Sequence, residues 1–280
     1  MPESSRATGG TLSRALAAAR DALTHAPAGL LTDFDGTLSP IVTDPALARP
    51  AEGVVRALEA LSAHLAVVAI VTGRAPLDAR RMLGAGGVLI AGNHGTEWLE
   101  PDAAEPRSSL DTARIRSALD LVLARLPMLP GVPVEAKGLS ASVHYRNAPD
   151  PIRAHELIIE ALGDVGAHGI ELRHGRMSVE LRPIGAGDKG SGTREIVERY
   201  ALRGAIVLGD DVTDLDMFEA VLALRRAGHI RAAVIGVGGG DGEVPAAVTD
   251  AADVVLADPD EAAALLEELA ADAVAGRLSP

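Results

Sequence analysis

The sequence predicts an α/β protein whose core is a doubly wound parallel sheet, with an α+β domain inserted into it. Apolar runs of strand length alternate with amphipathic helical segments before residue 100 and again after residue 184. The runs end in polar clusters, as expected where parallel strands end at a ligand-binding edge. The middle of the chain lacks this alternation. We therefore expect a Rossmann-like core formed by residues 1–104 and 185–280, and an inserted domain formed by residues 105–184.

The composition is that of a globular protein and excludes several function classes. The 280 residues are 48% hydrophobic and carry a net charge of -13, which disfavours nucleic acid and anionic membranes as partners. Aromatic residues make up 2%, too few for base stacking, and the absence of cysteine excludes disulfides and thiolate catalysis. No apolar run reaches the roughly 20 residues of a membrane span, and the N-terminus lacks a signal-like segment. We expect a cytoplasmic protein; a monomer is compatible with the sequence, which leaves the oligomeric state open.

The first core segment reads as strand, helix, strand, helix, strand. Residues 1–10 are polar and are expected to be loosely ordered. The elements that follow are a helix at 11–23, a strand at 29–31, a helix at 52–63, a strand at 65–71, a helix from Pro76 and a strand at 88–92. The continuous apolar run at 65–71 is typical of a strand buried on both faces, which favours a parallel sheet.

The inserted segment is predicted to pair its strands in an antiparallel manner. Its elements are a helix at 110–126, strands at 132–137 and 140–145, a helix at 151–162, and strands at 170–173 and 177–181 around His174-Gly175. The parallel pattern then resumes. Its elements are a helix at 188–200, a strand at 205–208, a helix at 215–227, strands at 232–237 and 254–256, and a helix at 260–270.

Two aspartates alternate directly after the first strand. Asp33 and Asp35 flank Phe34, so the period of a strand places both carboxylates on one face. Gly36 permits a sharp turn, and Thr37 adds a hydroxyl beside the acids. Oxygen ligands on one side of a turn suit Mg²⁺, and a carboxylate beside the cation can attack an electrophile such as phosphorus. An ordinary solvated turn also contains these residue types, so this string alone is weak evidence.

Three further polar segments are predicted to lie at the same edge of the sheet. Thr72 ends the second strand, and its hydroxyl and backbone N–H could hold a phosphate oxygen. Lys189 at a helix start offers a cation for phosphate. The third segment is an acidic cluster after the strand at 205–208, formed by Asp210, Asp211 and Asp214. Each segment alone is also compatible with an ordinary loop, but two acidic clusters on one edge repel each other unless a cation joins them.

In this order, the four segments resemble the motifs of the haloacid dehalogenase superfamily and, within it, those of the trehalose-6-phosphate phosphatases. The strings that carry the resemblance in the core are residues 31–40, 71–74, 92–95, 187–190 and 209–218, and those in the insertion are 138–146 and 175–183. Together they extend over roughly residues 28–258. The core motifs are specific for the superfamily. The strings in the insertion and Asp216-Met217-Phe218 select the phosphatase family, and they are less specific. The resemblance implies a hydrolase core with an inserted cap.

The resemblance also implies a role for each core residue. Asp33 is the expected nucleophile, which forms an aspartyl-phosphate, and Asp35 the expected general acid and later general base. Thr72 and Lys189 are expected to bind the phosphoryl group. Mg²⁺ is the expected cofactor, held by Asp33, by the backbone carbonyl of Asp35 and by Asp210. Asp211 and Asp214 are expected to orient Lys189 or metal-bound water.

Sugar recognition is expected from polar residues in the cap and beside the core strands. The candidates are Gly73, Arg74, Asn93, His94, Glu135, Lys137, His144, Arg146, Arg176 and Glu180. A disaccharide carries many hydroxyls, and its site therefore needs matched donors and acceptors. The alternative is that some of these side chains simply alternate outward to solvent, and His94 and Asn93 are equally compatible with capping a turn.

The function that this sequence favours is a cytoplasmic, Mg²⁺-dependent sugar-phosphate phosphatase acting on trehalose 6-phosphate. Sucrose, glucosylglycerol and mannosylglycerate phosphates remain alternative substrates, because only the chemistry of the cap separates them. A phosphomutase is disfavoured, since the sequence offers no separate signal for returning the phosphate. A non-catalytic domain that binds a sugar phosphate is the alternative of another class. The enzyme is favoured because the expected core residues are all present, namely Asp33, Asp35, Thr72, Lys189 and Asp210.

Overall fold

The structure, a computed structural model, describes residues 4–175, 177–238 and 244–278. Its packing divides into two units. The first contains the described residues of Met1–Thr72, Pro76–Arg107 and Gly187–Pro280. The second contains those of Gly73–Ala75 and Ser108–Ala186. We expect an insertion at 105–184 from the sequence, and Ser108–Ala186 is the main segment of the second unit.

The α-helices and strands are numbered in chain order. The helices are α1 (Ser4–Leu23), α2 (Val54–Ser62), α3 (Pro76–Leu83), α4 (Thr112–Leu123), α5 (Pro151–Leu162), α6 (Lys189–Arg199), α7 (Leu215–Arg226), α8 (Ala246–Ala251) and α9 (Pro259–Val274). The strands are β1 (Ala28–Thr32), β2 (Val67–Val71), β3 (Leu89–Gly92), β4 (Glu97–Leu99), β5 (Val134–Ala136), β6 (Ala141–His144), β7 (Ile170–Gly175), β8 (Ser178–Pro183), β9 (Gly204–Gly209), β10 (Arg231–Val237) and β11 (Val254–Leu256).

The first unit is built on a sheet that, within the described residues, has seven strands in the order β11-β10-β9-β1-β2-β3-β4. The pairs from β11 to β3 are parallel, and β4 runs antiparallel to β3 at the edge. The central strands β1, β2 and β9 are buried along their whole length. This burial explains why their sequences are continuous apolar runs rather than alternating patterns.

Helices cover both faces of this sheet. Successive residues of β1 show the two layers, because Leu30 packs into the apolar cluster of α1, α2 and α9, whereas Leu31 packs into the cluster of α6, α7 and α8. Alternation along a strand sends neighbouring side chains to opposite faces. The unit is therefore a three-layer α/β/α arrangement, whose carboxyl strand edge carries the loops.

The second unit contains an antiparallel sheet of four strands among its described residues, in the order β5-β6-β8-β7. One face packs on α4 and α5, where Val143 and Val179 join Val122 and Ile158 in one apolar cluster. Asp150 accepts a hydrogen bond from the Arg153 amide at the start of α5. This cap and the proline that follows it explain the clear helix start.

The predicted fold class is confirmed, with local corrections. The first helix begins earlier than the predicted residue 11, because α1 begins at Ser4. The segment before residue 11 lacks apolar residues at helical spacing, and a helix extends from an existing turn more easily than it nucleates. The edge strand β4 and the short helix α8 were not predicted. Neither is a continuous apolar run, because each contains an acidic residue. Among the described residues, no helix combines the length and apolar character needed to cross a membrane.

Candidate active site

Four neighbouring strands of the first unit end at one edge of the sheet. Asp210 follows β9, Asp33 follows β1, Thr72 follows β2 and Asn93 follows β3. The register is parallel, with Thr32 opposite both Leu208 and Ile70. Residues that are far apart in the chain are therefore collected at the carboxyl edge, where open α/β sheets bind ligands.

The backbone around Asp33 continues the sheet and then turns sharply. The Asp33 amide donates to the Leu208 carbonyl oxygen at 3.0 Å. Leu38 N–H then donates to the Phe34 carbonyl at 2.9 Å, which closes a tight turn over the fully buried Phe34. Asp33 is 6% exposed and Asp35 is half-buried. The nucleophile expected from the sequence thus lies on a rigid, sheet-anchored segment.

Gly36 leaves room for the carboxylate of Asp210, and Thr37 donates a hydrogen bond to it. Gly36 has a φ of 81°, and a Cβ at this position would lie 2.0 Å from Oδ2 of Asp210. The Thr37 hydroxyl donates to Oδ1 of Asp210 at 2.9 Å, in a buried hydrogen bond. The turn after β1 therefore fixes an acid that follows β9. Thr37 was not among the site residues predicted from the sequence, although its place beside the two aspartates was a signal.

Lys189 is the first residue of α6, and its side chain is buried. The helix start is fixed by a capping box, in which Asp188 accepts from the Ser191 amide at 2.6 Å and the Ser191 hydroxyl accepts from the Asp188 amide at 2.8 Å. The Lys189 ammonium lies 2.8 Å from Oδ1 of Asp33 and 2.6 Å from Oδ1 of Asp214. The cation therefore joins the acids that follow two different strands.

Asp214 accepts hydrogen bonds from three groups of the acidic cluster. Its Oδ2 accepts hydrogen bonds from the amides of Asp210 at 2.9 Å and Asp211 at 3.1 Å, while its Oδ1 binds Lys189. Its side chain is fully buried. Asp211 is exposed, and its carboxylate accepts from the Val212 amide at 2.7 Å. Of the two acids expected to orient Lys189, Asp214 is therefore the one that contacts it.

The buried charges shift one another's pKa values. Burial raises the pKa of Asp33, against the attraction of Lys189. Burial also raises the pKa of Asp210, and the negative charges of Asp33 and Asp214 add to this effect. Burial would lower the pKa of Lys189, but Asp214 and Asp33 outweigh it and raise that pKa. Burial is thus the main cause of the raised pKa of both acids, and the repulsion between the carboxylates adds to it.

The donor chemistry of this cluster fits Mg²⁺. Oxygen atoms of Asp33, Asp210 and Asp214 all lie within 4.8 Å of one another. Hard cations prefer such carboxylate oxygens, and a divalent charge would offset both the burial and the repulsion that raise the pKa values of Asp33 and Asp210. Because both oxygens of Asp214 already accept hydrogen bonds, Asp33 and Asp210 are the better ligands.

Thr72 is buried at the end of β2, with its backbone engaged in the sheet. Its amide donates to the Ala91 carbonyl at 3.0 Å, and its carbonyl accepts from the His94 amide at 2.9 Å. The backbone N–H that the sequence offered to a phosphate is therefore committed to β3. The role of the Thr72 hydroxyl in binding phosphate stays a prediction from the sequence.

In the second unit, three of the expected sugar-binding residues form a polar cluster. Glu135 accepts from His144 at 3.1 Å and lies 3.6 Å from Lys137. The hydrogen bond from His144, and then the charges of Lys137, His144 and Arg74, lower the pKa of Glu135 against the effect of burial. Glu135 is therefore held as a carboxylate, which accepts hydrogen bonds from hydroxyl groups.

A row of polar side chains crosses the sheet of the second unit on the face away from α4 and α5. In register, Glu135 lies opposite Ser142, Ser142 opposite Glu180, and Glu180 opposite Arg173. Side chains opposite each other on one face are neighbours. Ser142 and Arg173 were missed by the sequence analysis, which had no strand register.

The remaining predicted residues have different surroundings. Arg146 is exposed, and Gly73 and Arg74 group with the second unit. Asn93 is buried and His94 is half-buried, both in the turn after β3. Arg176 lies outside the described residues.

The parallel sheet, the inserted unit and the aspartate–lysine cluster at the strand ends define a protein of the haloacid dehalogenase superfamily. A model of the trehalose-phosphatase family matches residues 31–249. The chain therefore belongs to the trehalose-phosphatase family.

Several relatives carry the corresponding name. The trehalose-phosphate phosphatase of Mycobacterium marinum is 38% identical over 210 residues, which cover 72% of this chain and 53% of that protein. That of Mycobacterium leprae is 36% identical over 214 residues, covering 72% and 49%. The chain thus spans about half the length of the curated relatives it matches.

Solved structures share the fold. The C-terminal domain of trehalose-6-phosphate phosphatase from C. albicans gives a TM-score of 0.71 at 24% identity, over 93% of this chain and 96% of that one. A trehalose-6-phosphate phosphatase related protein gives 0.70 at 25% identity, over 89% and 99%. The C-terminal domain of a trehalose synthase regulatory protein from Candida albicans has the same fold at 14% identity and a TM-score of 0.64. The fold alone therefore does not separate an enzyme from a regulatory domain.

Proposed function

We propose that this chain is a cytoplasmic phosphatase that hydrolyses trehalose 6-phosphate to trehalose and phosphate, with Mg²⁺ as cofactor. The observation that carries the proposal is the buried cluster in which Lys189 bridges Asp33 and Asp214 beside Asp210. A regulatory domain has no need to bury a nucleophile against a cation. Family membership and relatives named trehalose-phosphate phosphatase support the same activity.

The proposed chemistry has two steps at phosphorus. In the first, a carboxylate oxygen of Asp33 forms a bond to phosphorus, the bond from phosphorus to the sugar oxygen breaks, and Asp35 gives its proton to that oxygen. In the second, water forms a bond to phosphorus, Asp35 takes the proton of the water, and the bond from Asp33 to phosphorus breaks. One group can serve as acid and then as base because the first step leaves it deprotonated.

Charge stabilisation is divided between the chain and its cofactor. Lys189 and the Thr72 hydroxyl bind the phosphoryl oxygens, and Asp214 holds Lys189 in place. Mg²⁺, held by Asp33, Asp210 and the backbone carbonyl of Asp35, would supply positive charge for the phosphoryl oxygens. Phosphoryl transfer depends mainly on such positioning and electrostatic stabilisation.

Recognition of the sugar is proposed for the polar row of the second unit. Glu135 and Glu180 offer carboxylate acceptors, while Lys137, His144 and Arg173 offer donors on the same sheet face. A disaccharide rich in hydroxyls requires this mixture of donors and acceptors. The remaining candidates for contacts with the substrate are Gly73, Arg74, Asn93, His94, Arg146 and Arg176.

The decisive experiment measures phosphate release with and without Mg²⁺ from trehalose 6-phosphate, sucrose 6-phosphate, glucosylglycerol phosphate and glucose 6-phosphate. A strong preference for trehalose 6-phosphate that depends on Mg²⁺ is expected. Turnover of a different sugar phosphate would keep the phosphatase but reject the substrate. No turnover of any of them would favour a domain that binds sugar phosphate without hydrolysing it.

A further inference from the structure

The turn that follows β3 has a strained backbone at the functional edge of the sheet. Asn93, His94 and Gly95 have φ angles of 47°, 56° and 91°. Residues other than glycine adopt positive φ uncommonly, and although asparagine and histidine do so more readily than most, two in succession still cost free energy. Such a conformation persists only where the surrounding structure holds it, which makes the turn a candidate for a functional role.

The turn joins β3 to β4, and hydrogen bonds within this hairpin hold it in place. Asn93 Nδ2 donates to Glu97 Oε2 at 2.5 Å, and both side chains are about 3% exposed. The Thr96 amide donates to the Gly92 carbonyl at 3.1 Å. A buried side-chain hydrogen bond to a carboxylate is among the stronger ones. β3, the turn and β4 therefore form one rigid segment.

On one side, the turn contacts the end of β2. The His94 amide donates to the Thr72 carbonyl oxygen at 2.9 Å. This bond joins the backbone of the turn directly to the residue whose hydroxyl is proposed to bind phosphate.

On the other side, the turn contacts the start of α6. A Cβ added to Gly95 would lie 3.0 Å from the Asp188 carbonyl oxygen and 3.1 Å from the Gly192 Cα. Gly192 itself donates to the Asp188 carbonyl at 3.0 Å, within the helical turn that begins with Lys189. These neighbours are backbone atoms and cannot swing aside as a flexible side chain can. The turn therefore packs against the helical turn that carries Lys189.

We propose that the Asn93–Gly95 turn is a positioning element that sets the spacing between Thr72 and Lys189, so that both bind one phosphoryl group. The inference rests on the proposed function, because it assigns these two residues to the phosphate. In this role the Gly92–Gly95 string acts through the backbone of the turn. The role does not require a contact between these residues and the sugar. Gly95 is the residue on which the proposal can be tested most directly.

The test compares Gly95→Ala with Gly228→Ala. Gly228 also has a positive φ, of 72°, but an added Cβ meets nothing within 4 Å. Both variants thus place alanine in the left-handed region, and only the first one pushes against α6. The measurements are calorimetric binding of inorganic phosphate and of Mg²⁺, kcat and KM for trehalose 6-phosphate and p-nitrophenyl phosphate, and the thermal midpoint.

For Gly95→Ala we expect weaker phosphate binding and a kcat that falls by the same factor for both substrates. The fall should be on the order of 10²-fold, since small misplacements of catalytic groups have effects of this size. Mg²⁺ binding should fall much less than phosphate binding, because Asp33 and Asp210 follow β1 and β9, and Asp33 is reached from the turn through Lys189. Gly228→Ala should lower the thermal midpoint while phosphate binding and kcat stay as in the wild type.

Wild-type phosphate affinity in a folded Gly95→Ala protein would overturn the proposal, and so would a loss confined to trehalose 6-phosphate. If Gly95→Ala does not fold, Glu97→Ala and Glu97→Gln replace it. Glu97→Ala removes the acceptor of Asn93 and should weaken phosphate binding, whereas Glu97→Gln retains an acceptor oxygen and should restore it. Equal phosphate binding in these two variants would also overturn the proposal.

Failure of the wild type to release phosphate from any sugar phosphate would instead contradict the proposed function, since phosphate binding is measured without turnover.

Discussion

The ammonium of Lys189 lies 2.8 Å from Oδ1 of Asp33, and both side chains are buried at the carboxyl edge of the sheet. Neither charge would be stable alone in this environment, because removing an ion from water costs several kcal/mol. Lys189 comes from α6 and Asp33 from the end of β1, so the pair joins two segments of the core that are remote in sequence.

Asp33→Asn is expected to reduce phosphate release to background while the protein stays folded. Asparagine is nearly the same size but is a far weaker nucleophile, and Lys189 keeps Asp214 as its partner. The measurement is phosphate release with saturating Mg²⁺, together with circular dichroism. Asp102→Asn, at an exposed aspartate, is the control and should have wild-type activity. Substantial turnover by Asp33→Asn would reject Asp33 as the nucleophile.

Asp214→Asn is expected to lower the free energy of unfolding by about 3 kcal/mol, the range for breaking a buried ion pair. Asparagine has one acceptor oxygen, whereas Asp214 accepts from Lys189 and from the amides of Asp210 and Asp211. Its NH₂ group must therefore face at least one of these donors. Urea denaturation measures the change. Asp211→Asn, at the exposed neighbour, should cost less than about 1 kcal/mol, and equal costs for the two variants would contradict the role of Asp214.

Thr37→Val is expected to weaken Mg²⁺ binding roughly 10- to 100-fold, as is typical when a partner of a metal ligand is removed. The Thr37 hydroxyl donates to Oδ1 of Asp210, and valine keeps the shape without the donor. Calorimetric titration with Mg²⁺ measures the effect directly. Thr37→Ser retains the hydroxyl and should bind Mg²⁺ nearly as the wild type does. Unchanged affinity in Thr37→Val would show that the orientation of Asp210 is set without Thr37.

Glu180→Ala is expected to raise KM for trehalose 6-phosphate far more than KM for p-nitrophenyl phosphate. Glu180 lies between Ser142 and Arg173 in the polar row, where its carboxylate can accept hydrogen bonds from sugar hydroxyls. Steady-state kinetics with both substrates make the comparison. Glu160→Ala, at an exposed position of α5, is the control. An equal rise for both substrates would remove Glu180 from sugar recognition.

Asp272→Asn is expected to lower the free energy of unfolding at pH 7 by about 2 kcal/mol, the scale of hydrogen bonds to a charged group. The fully buried Asp272 accepts from Arg20 and, at 2.6 Å, from Arg277. The hydrogen bond from Arg20, and then that from Arg277, lower its pKa against the effect of burial.

The pH dependence of this contribution follows from its sign. A carboxyl group with a lowered pKa stabilises the fold above its ordinary pKa of about 3.9, and this contribution is lost as the pH falls through the lowered value. The difference between wild type and Asp272→Asn should therefore shrink in urea titrations below about pH 4. A difference that is constant from pH 7 to pH 3 would contradict this explanation.

The sequence by itself determined the parallel strands of the sheet and the residue types of the site. The apolar runs of β1, β2 and β9 are buried on both sides, and such runs fit few structures other than a central parallel strand. Because parallel strands end at a common edge, the positions of Asp33, Thr72 and Asp210 in the chain were enough to bring them together. The short elements β4 and α8 gave no signal, since each contains an acidic residue and neither is a continuous apolar run.

Only the tertiary structure decided which polar groups are partners. Thr37 binds Asp210, Asp214 rather than Asp211 binds Lys189, and the amide of Thr72 is committed to β3. In the same way, strand register placed Arg173 opposite Glu180. The physical reason is that hydrogen bonds and ion pairs depend on distances of about 3 Å between residues remote in the chain. Residue spacing in a sequence carries no information on such distances until the strands are in register and the helices are packed.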